Sequence, residues 1–168
     1  MKTIKVKELS KSAFAKYGEY YDFLEPESTY IGESPIEFYR DAMLVSLGNQ
    51  SMPSFSVCRN SPRERIIDTS EYHSFTHEFN LPMDGDVLMH VAPASPDDEV
   101  PVDEIEVFRI PKGTGVRINA GVWHHAPFVL GDNPVLVLVL LPERTYKNDG
   151  TVVNIPGENQ LFVEWNNK

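Results

Sequence analysis

The stretch Glu71-Tyr72-His73-Ser74-Phe75-Thr76-His77-Glu78, running on to Gly85, holds one half of the polar chemistry of this chain. The other half is Asn119-Ala120-Gly121-Val122-Trp123-His124-His125, preceded by the turn-forming Pro111-Lys112-Gly113-Thr114-Gly115. Glu71 and His73 stand two residues apart, so on a strand both point to one face. Glu78 follows beyond an expected bend, and His124 comes from the second segment. Two imidazoles and two carboxylates make a donor set for one divalent ion: Zn, Mn, Fe or Ni. The mixed nitrogen and oxygen character favours Mn, Fe or Zn over Cu(I). The two segments are expected to form facing walls of one pocket inside a small β-barrel. Glu71, His73, Glu78 and His124 are the expected ligands, and nothing in the sequence calls for an organic cofactor.

Outward from this region the pattern stays β. Phe55–Arg59, Phe79–Leu81, Val87–Val91, Glu104–Ile110 and Val116–Ile118 read as strands, and Arg65–Phe75 as one strand pair or a long bent strand. Asp84-Gly85 is a strong turn signal between two of them. Val135–Leu141 is a continuous apolar run, expected to be a fully buried strand. Pro93–Pro101, rich in proline and acids, reads as an exposed loop. At the N-terminus Lys2–Val6 reads as a strand. Ser10 then caps a short helix that Gly18 is expected to terminate. Glu37–Leu47 fits helix and strand equally. Residues 142–168 read as a tail with one strand-like piece, Gln160–Trp165. Many short strands at regular turn spacing predict an all-β barrel or jelly roll with a short N-terminal helix.

The 168 residues suit one domain with a sizeable core, so a single domain over 1–168 is expected. A net charge of −10 argues against nucleic acid, which needs a basic footprint, and against anionic membrane surfaces. It leaves room for a small anionic substrate held by local arginines. The lone cysteine, Cys58, rules out a disulfide within the chain. The longest apolar run, Val135–Leu141, falls far short of the roughly 20 residues of a membrane helix. With no apolar leader-like segment at the start, the expected location is cytoplasmic.

The spacing Glu71-x-His73-(x)4-Glu78-(x)6-Gly85 resembles the first motif of the cupin superfamily, with Glu71 in place of the leading histidine. Asn119-x-Gly121-x-x-His124 resembles the second, with Asn119 in place of proline. Cupins are double-stranded β-helix barrels that commonly hold one metal ion on these positions. A narrower resemblance covers nearly the whole chain. Leu9-Ser10-x-x-Ala13-Phe14-x-x-Tyr17-Gly18, Ser56-Val57-Cys58-Arg59-x-x-Pro62, Leu81-Pro82-Met83-x-Gly85, Gly115-Val116 and Val122-Trp123-His124-His125 are similar to the ureidoglycolate lyase family. The chain departs from that family's pattern at Gly32, Phe38, Arg40 and Asn119.

This resemblance implies cleavage of ureidoglycolate to glyoxylate and urea in allantoin breakdown, in a homodimer. The chemistry needs a base, an acid and an anchor for the carboxylate. His124 or Glu78 is expected to move the proton, and Arg59 or Arg117 to pair the carboxylate, with Asn119 also facing substrate. Two other readings of the same pocket are a cupin enzyme acting on another hydroxy or keto acid, and a non-catalytic sensor binding a small carboxylate or sugar. Of the remaining candidates, His125 is expected to face away from His124, in a structural or interface role, and Trp123 to be core. His77 reads as a loop residue or a substitute ligand, His90 as a hydrogen-bonded strand residue, and Cys58 as a small core hydrophobe.

Overall fold

A computed structural model describes residues 2–165. In chain order its elements begin with β1 (Lys2–Glu8), α1 (Lys11–Phe14), β2 (Gly18–Asp22), β3 (Tyr30–Glu33), β4 (Ile36–Tyr39) and β5 (Pro53–Asn60). The central part holds β6 (Ile66–Ile67), β7 (Thr69–Tyr72), β8 (Glu78–Pro82), β9 (Val87–Ala92), β10 (Glu106–Ile110), β11 (Thr114–Ile118) and β12 (Trp123–His124). The chain closes with β13 (Phe128–Val129), β14 (Val135–Pro142), α2 (Thr145–Asn148), β15 (Thr151–Asn154) and β16 (Leu161–Glu164).

Two sheets make the barrel. The larger runs β15-β7-β12-β9-β10-β1-β16-β6, with β13 also on β9, and the smaller runs β2-β11-β8-β14-β5. β3 and β4 form a separate hairpin. The all-β barrel with a short N-terminal helix is thus borne out.

Period-2 alternation explains how the sheets close on one another. On β9, Val87, Met89 and Val91 point into a core shared with Phe108 and Ile110 of β10, Val116 and Ile118 of β11, and Val135 and Val137 of β14. Phe14 and Tyr17 plug one end of this core. The alternate residues Leu88 and Ala92 pack outward against Val107, Trp123, Phe128, Ile155 and Leu161. β9 is therefore buried on both faces, which suits its near-continuous apolar sequence.

Some local expectations need correcting. Ser10 does cap the helix, its hydroxyl accepting from the Ala13 N–H at 3.2 Å, but the helix ends at an Ala15 cap. Gly18 opens β2 instead, because β2 lies so close to β11 that a Cβ there would sit 1.7 Å from the Arg117 carbonyl oxygen. Within Glu37–Leu47 only the first residues are regular, as part of β4. Arg65–Phe75, expected as a strand pair or one long bent strand, holds two short strands, β6 and β7, which pair not with each other but with β16 and with β12 and β15. The expected tail is structured: α2 is followed by β15, which pairs with β7, and β16, which pairs with β1 and β6.

Candidate active site

The site forms where the two sheets meet. Glu78 starts β8 in the smaller sheet, His124 ends β12 in the larger, and His73 sits on the connection between β7 and β8. A turn brings them together: the Val122 N–H donates to the Asn119 carbonyl at 3.2 Å and the Gly121 N–H to the His73 carbonyl at 2.7 Å. Gly121 holds φ +80° in this turn, the left-handed region that glycine enters without a Cβ penalty.

The ligand atoms of His73, Glu78 and His124 all lie within 4.8 Å of one another, and all three residues are buried. Glu78 Oε2 is 2.9 Å from His73 Nε2 and 3.2 Å from His124 Nε2. The other carboxylate oxygen, Oε1, accepts from Asn80 Nδ2 at 2.9 Å. Asn80 can do so because it lies two residues along β8, on the same face.

The far nitrogens fix the tautomers. His73 Nδ1 faces the Asp149 carbonyl, and His124 Nδ1 lies 2.9 Å from the Val122 carbonyl. A carbonyl only accepts, so both Nδ1 atoms carry protons. Both Nε2 atoms therefore converge on one carboxylate oxygen. With both rings neutral, three lone-pair donors would face a common point, which a divalent cation satisfies. Orienting a metal-binding histidine through its distal N–H is the usual supporting arrangement of metal sites.

Burial acts on the same charges. It opposes ionisation of Glu78, but His124 and His73 outweigh it and hold the carboxyl well below its usual range. Burial also disfavours the His124 imidazolium, yet the Glu78 carboxylate overcomes this and raises His124 to about 8.

His73 and Glu78 of this trio form part of the wall of a pocket of about 240 Å³ between the sheets, with His124 behind Glu78, and Glu71, Asn80, His125, Cys58, Ser54, Ser56, Arg144 and Tyr146 also line it. The expected residues divide as follows. His73, Glu78 and His124 come together. Glu71, paired opposite His124 on β7, lines the pocket but stands outside the ligand cluster.

Arg59, Arg117 and Asn119 are not pocket residues. Arg59 alternates with Cys58 on β5, so Cys58 faces the pocket and Arg59 is exposed, 3.4 Å from Ser61 Oγ. Arg117 is engaged by Glu19 at 3.0 Å, the Leu44 carbonyl at 3.0 Å and Asn119 Oδ1 at 3.3 Å, which accounts for Asn119 as well. His77 stands apart, its Nδ1 accepting from the Ser46 N–H at 3.0 Å. His90 is a buried strand residue 3.0 Å from Ser70 Oγ, and Trp123 is core, donating to Ser95 Oγ at 2.9 Å.

His125 reverses the expectation made for it. The strand ends at His124, so alternation does not carry past it, and His125 turns onto the pocket wall. Burial pushes its imidazole below the ordinary value. Cys58 is half-buried on the same wall, and burial raises its thiol, which makes it a poor nucleophile. The sequence reading also missed Asn80, Arg144 and Asp149. For Asn80 a signal was available, since it stands two residues from Glu78 on a strand.

Known proteins agree with this architecture. Ureidoglycolate lyase of Escherichia coli O9:H4 (strain HS) is 28% identical over 127 residues, covering 74% of this chain and 79% of that protein. Ureidoglycolate lyase of Shigella flexneri matches to the same extent. Among solved structures, a dTDP sugar isomerase from Desulfovibrio desulfuricans G20 superposes with a TM-score of 0.54 at 14% identity, over 84% of this chain and 87% of that one. That likeness concerns the fold, which is the cupin double-stranded β-helix. The family model for ureidoglycolate lyase matches residues 1–162. With the motif spacing, the barrel and this match in agreement, the chain belongs to the ureidoglycolate lyase family.

Proposed function

We propose that this protein is an enzyme that cleaves ureidoglycolate into glyoxylate and urea. The observation that carries the reading is the buried His73–Glu78–His124 cluster at a pocket, in a chain matched by the family model over residues 1–162. The reaction removes the hydroxyl proton of the carbinolamide. The oxygen electron pair becomes the carbonyl of glyoxylate, the C–N bond breaks, and the departing nitrogen takes a proton to give urea. Nothing is oxidised or reduced.

The donor set fits one divalent ion, with Nε2 of His73, Nε2 of His124 and Oε2 of Glu78 as ligands. Zn, Mn, Fe and Ni all accept two imidazoles and a carboxylate. Such an ion, when bound, lowers the pKa of a coordinated hydroxyl and polarises the developing carbonyl. The chain's own residues do the rest. Asn80 fixes the Glu78 carboxylate, and the Asp149 and Val122 carbonyls fix the two rings. Glu78, with His124 against its carboxylate, faces the reacting centre, and His125, kept neutral by burial, is placed to take the hydroxyl proton and return it to the departing nitrogen. Glyoxylate release by purified protein, measured against spontaneous decay, tests the activity. A rate no greater than the spontaneous one refutes it.

The same reading makes the protein a cytoplasmic homodimer acting in allantoin breakdown. No helix among the described residues is long and apolar enough to cross a membrane. Edge strand β5 exposes Phe55 and Val57 beside the half-buried Leu136, Leu138 and Leu140 of β14, an apolar face suited to a second copy. Light scattering at micromolar protein tests this, and a monomer mass contradicts it.

A further inference from the structure

The pocket needs a cation that the sequence did not identify. Glu71 and Glu78 both line it, and the substrate of the proposed reaction is itself a carboxylate. Glu78 is already engaged by His73 and His124, but Glu71 stands outside that cluster, so without a counter-charge an anion entering there meets an acid that nothing offsets. Arg59 and Arg117 do not supply it, because one faces away on β5 and the other is tied to Glu19 and Leu44.

Among the described residues that line the pocket, Arg144 is the one lysine or arginine. It sits in the left-handed region, at φ 62° and ψ 26°, an uncommon conformation for a residue with a Cβ. The surrounding structure holds it there. The Arg144 carbonyl accepts from the Lys147 N–H at 2.9 Å and the Asn148 N–H at 3.1 Å, and Thr145 Oγ1 donates to the Pro142 carbonyl at 2.8 Å. Left-handed backbone at a non-glycine residue beside a pocket is a recurrent mark of a side chain aimed for function.

Its guanidinium is also available. The ion pair recorded for it is with its neighbour Glu143, Nε to Oε1 at 3.0 Å, with the two side chains 66% and 52% exposed. Such a pair is weak in water and readily exchanged for a better partner. A guanidinium offers two parallel N–H donors that match a carboxylate.

We propose that Arg144 binds the carboxylate of the substrate, exchanging Glu143 for it. The assignment deepens the lyase reading and rests on it for the identity of the substrate, but the chemistry it names is recognition of a small carboxylate at this pocket. It makes Arg144 a specificity residue that separates acids from their neutral amides.

The test uses the full chain and two stable probes: oxalurate, in which a carbonyl replaces the reacting carbinol, and the carboxamide of oxalurate, which lacks the charge. Affinities are measured by calorimetry for wild type, Arg144→Gln, Arg144→Lys and Arg144→Gly. The glycine variant keeps the left-handed backbone at no cost, so a loss there reports the side chain. Arg144→Gln and Arg144→Gly are expected to weaken oxalurate by about tenfold to a hundredfold, with Arg144→Lys in between and the carboxamide changed less than about twofold. Unchanged oxalurate binding in these variants overturns the proposal, as does wild-type protein that binds neither probe. Wild type that binds oxalurate through Arg144 yet releases no glyoxylate upholds the anchor and refutes the lyase reading.

Discussion

The backbone carbonyl of Asp149 accepts the Nδ1 proton of His73, although the two residues are 76 positions apart. The turn after α2 thereby decides which nitrogen of a cluster histidine faces Glu78. The Asp149 carboxylate strengthens the tie, accepting from the Ser74 N–H at 2.7 Å and the Phe75 N–H at 2.9 Å.

Asp149→Ala removes both carboxylate contacts and frees the segment that orients His73. Loss of two charge-assisted bonds at a partly exposed site is expected to cost about 2 kcal/mol in urea unfolding. The larger effect falls on the cluster. Affinity for Mn(II) or Zn(II), read by calorimetric titration, is expected to fall about tenfold to a hundredfold, the usual consequence of losing support behind a metal-binding histidine. Unchanged affinity in a destabilised variant would make Asp149 a loop cap and nothing more.

Buried His90 makes the fold acid-sensitive. Burial, aided by its electrostatic interactions with the neighbouring His125, His124 and Arg63, lowers its pKa to about 3. In the unfolded chain it titrates near 6.5. Between these values the unfolded state binds the extra proton, so this residue's contribution to stability falls as pH drops below 6.5. At pH 5 the loss amounts to about 2 kcal/mol. His90→Gln keeps a partner for Ser70 Oγ and does not titrate. Its stability relative to wild type is therefore expected to improve from pH 7 to pH 5 in urea titrations. A constant difference across that range would contradict the assignment.

Gly18→Ala tests how closely β2 and β11 approach. The added Cβ would lie 1.7 Å from the Arg117 carbonyl oxygen and 2.9 Å from its carbon, both backbone atoms that cannot swing aside. The variant is expected to lose at least about 3 kcal/mol or fail to fold, above the usual range for a single substitution. Wild-type thermal stability would mean that β2 sits farther out.

The barrel and the three-residue cluster were legible because they rest on local periodicity and fixed spacing. Val87–Ala92 and Val135–Pro142 announce buried strands whatever surrounds them. Glu78, Gly85 and His124 fall at motif spacing that survives substitution of the first histidine. What failed depends on where strands stop and how their faces are phased. His125 was turned outward by an alternation rule that applies only while a strand continues, and the strand stops at His124. Arg59 and Cys58 are adjacent, so one of them had to face the pocket, and the sequence gives no phase for β5 that says which. Asp149 was invisible because its role comes from contacts with the β7–β8 connection, far away in the chain, and Arg144 because it reaches the pocket from a backbone conformation that arginine seldom adopts.

The most direct measurement is the rate of glyoxylate release from ureidoglycolate by chelator-treated protein, before and after addition of Mn(II) or Zn(II), in wild type and in His124→Ala. Release far above the spontaneous rate that depends on the added ion, and falls at least about a hundredfold in the variant, is the predicted result. Release at the spontaneous rate in every sample, or rapid release untouched by both the chelator and the loss of His124, would contradict the account.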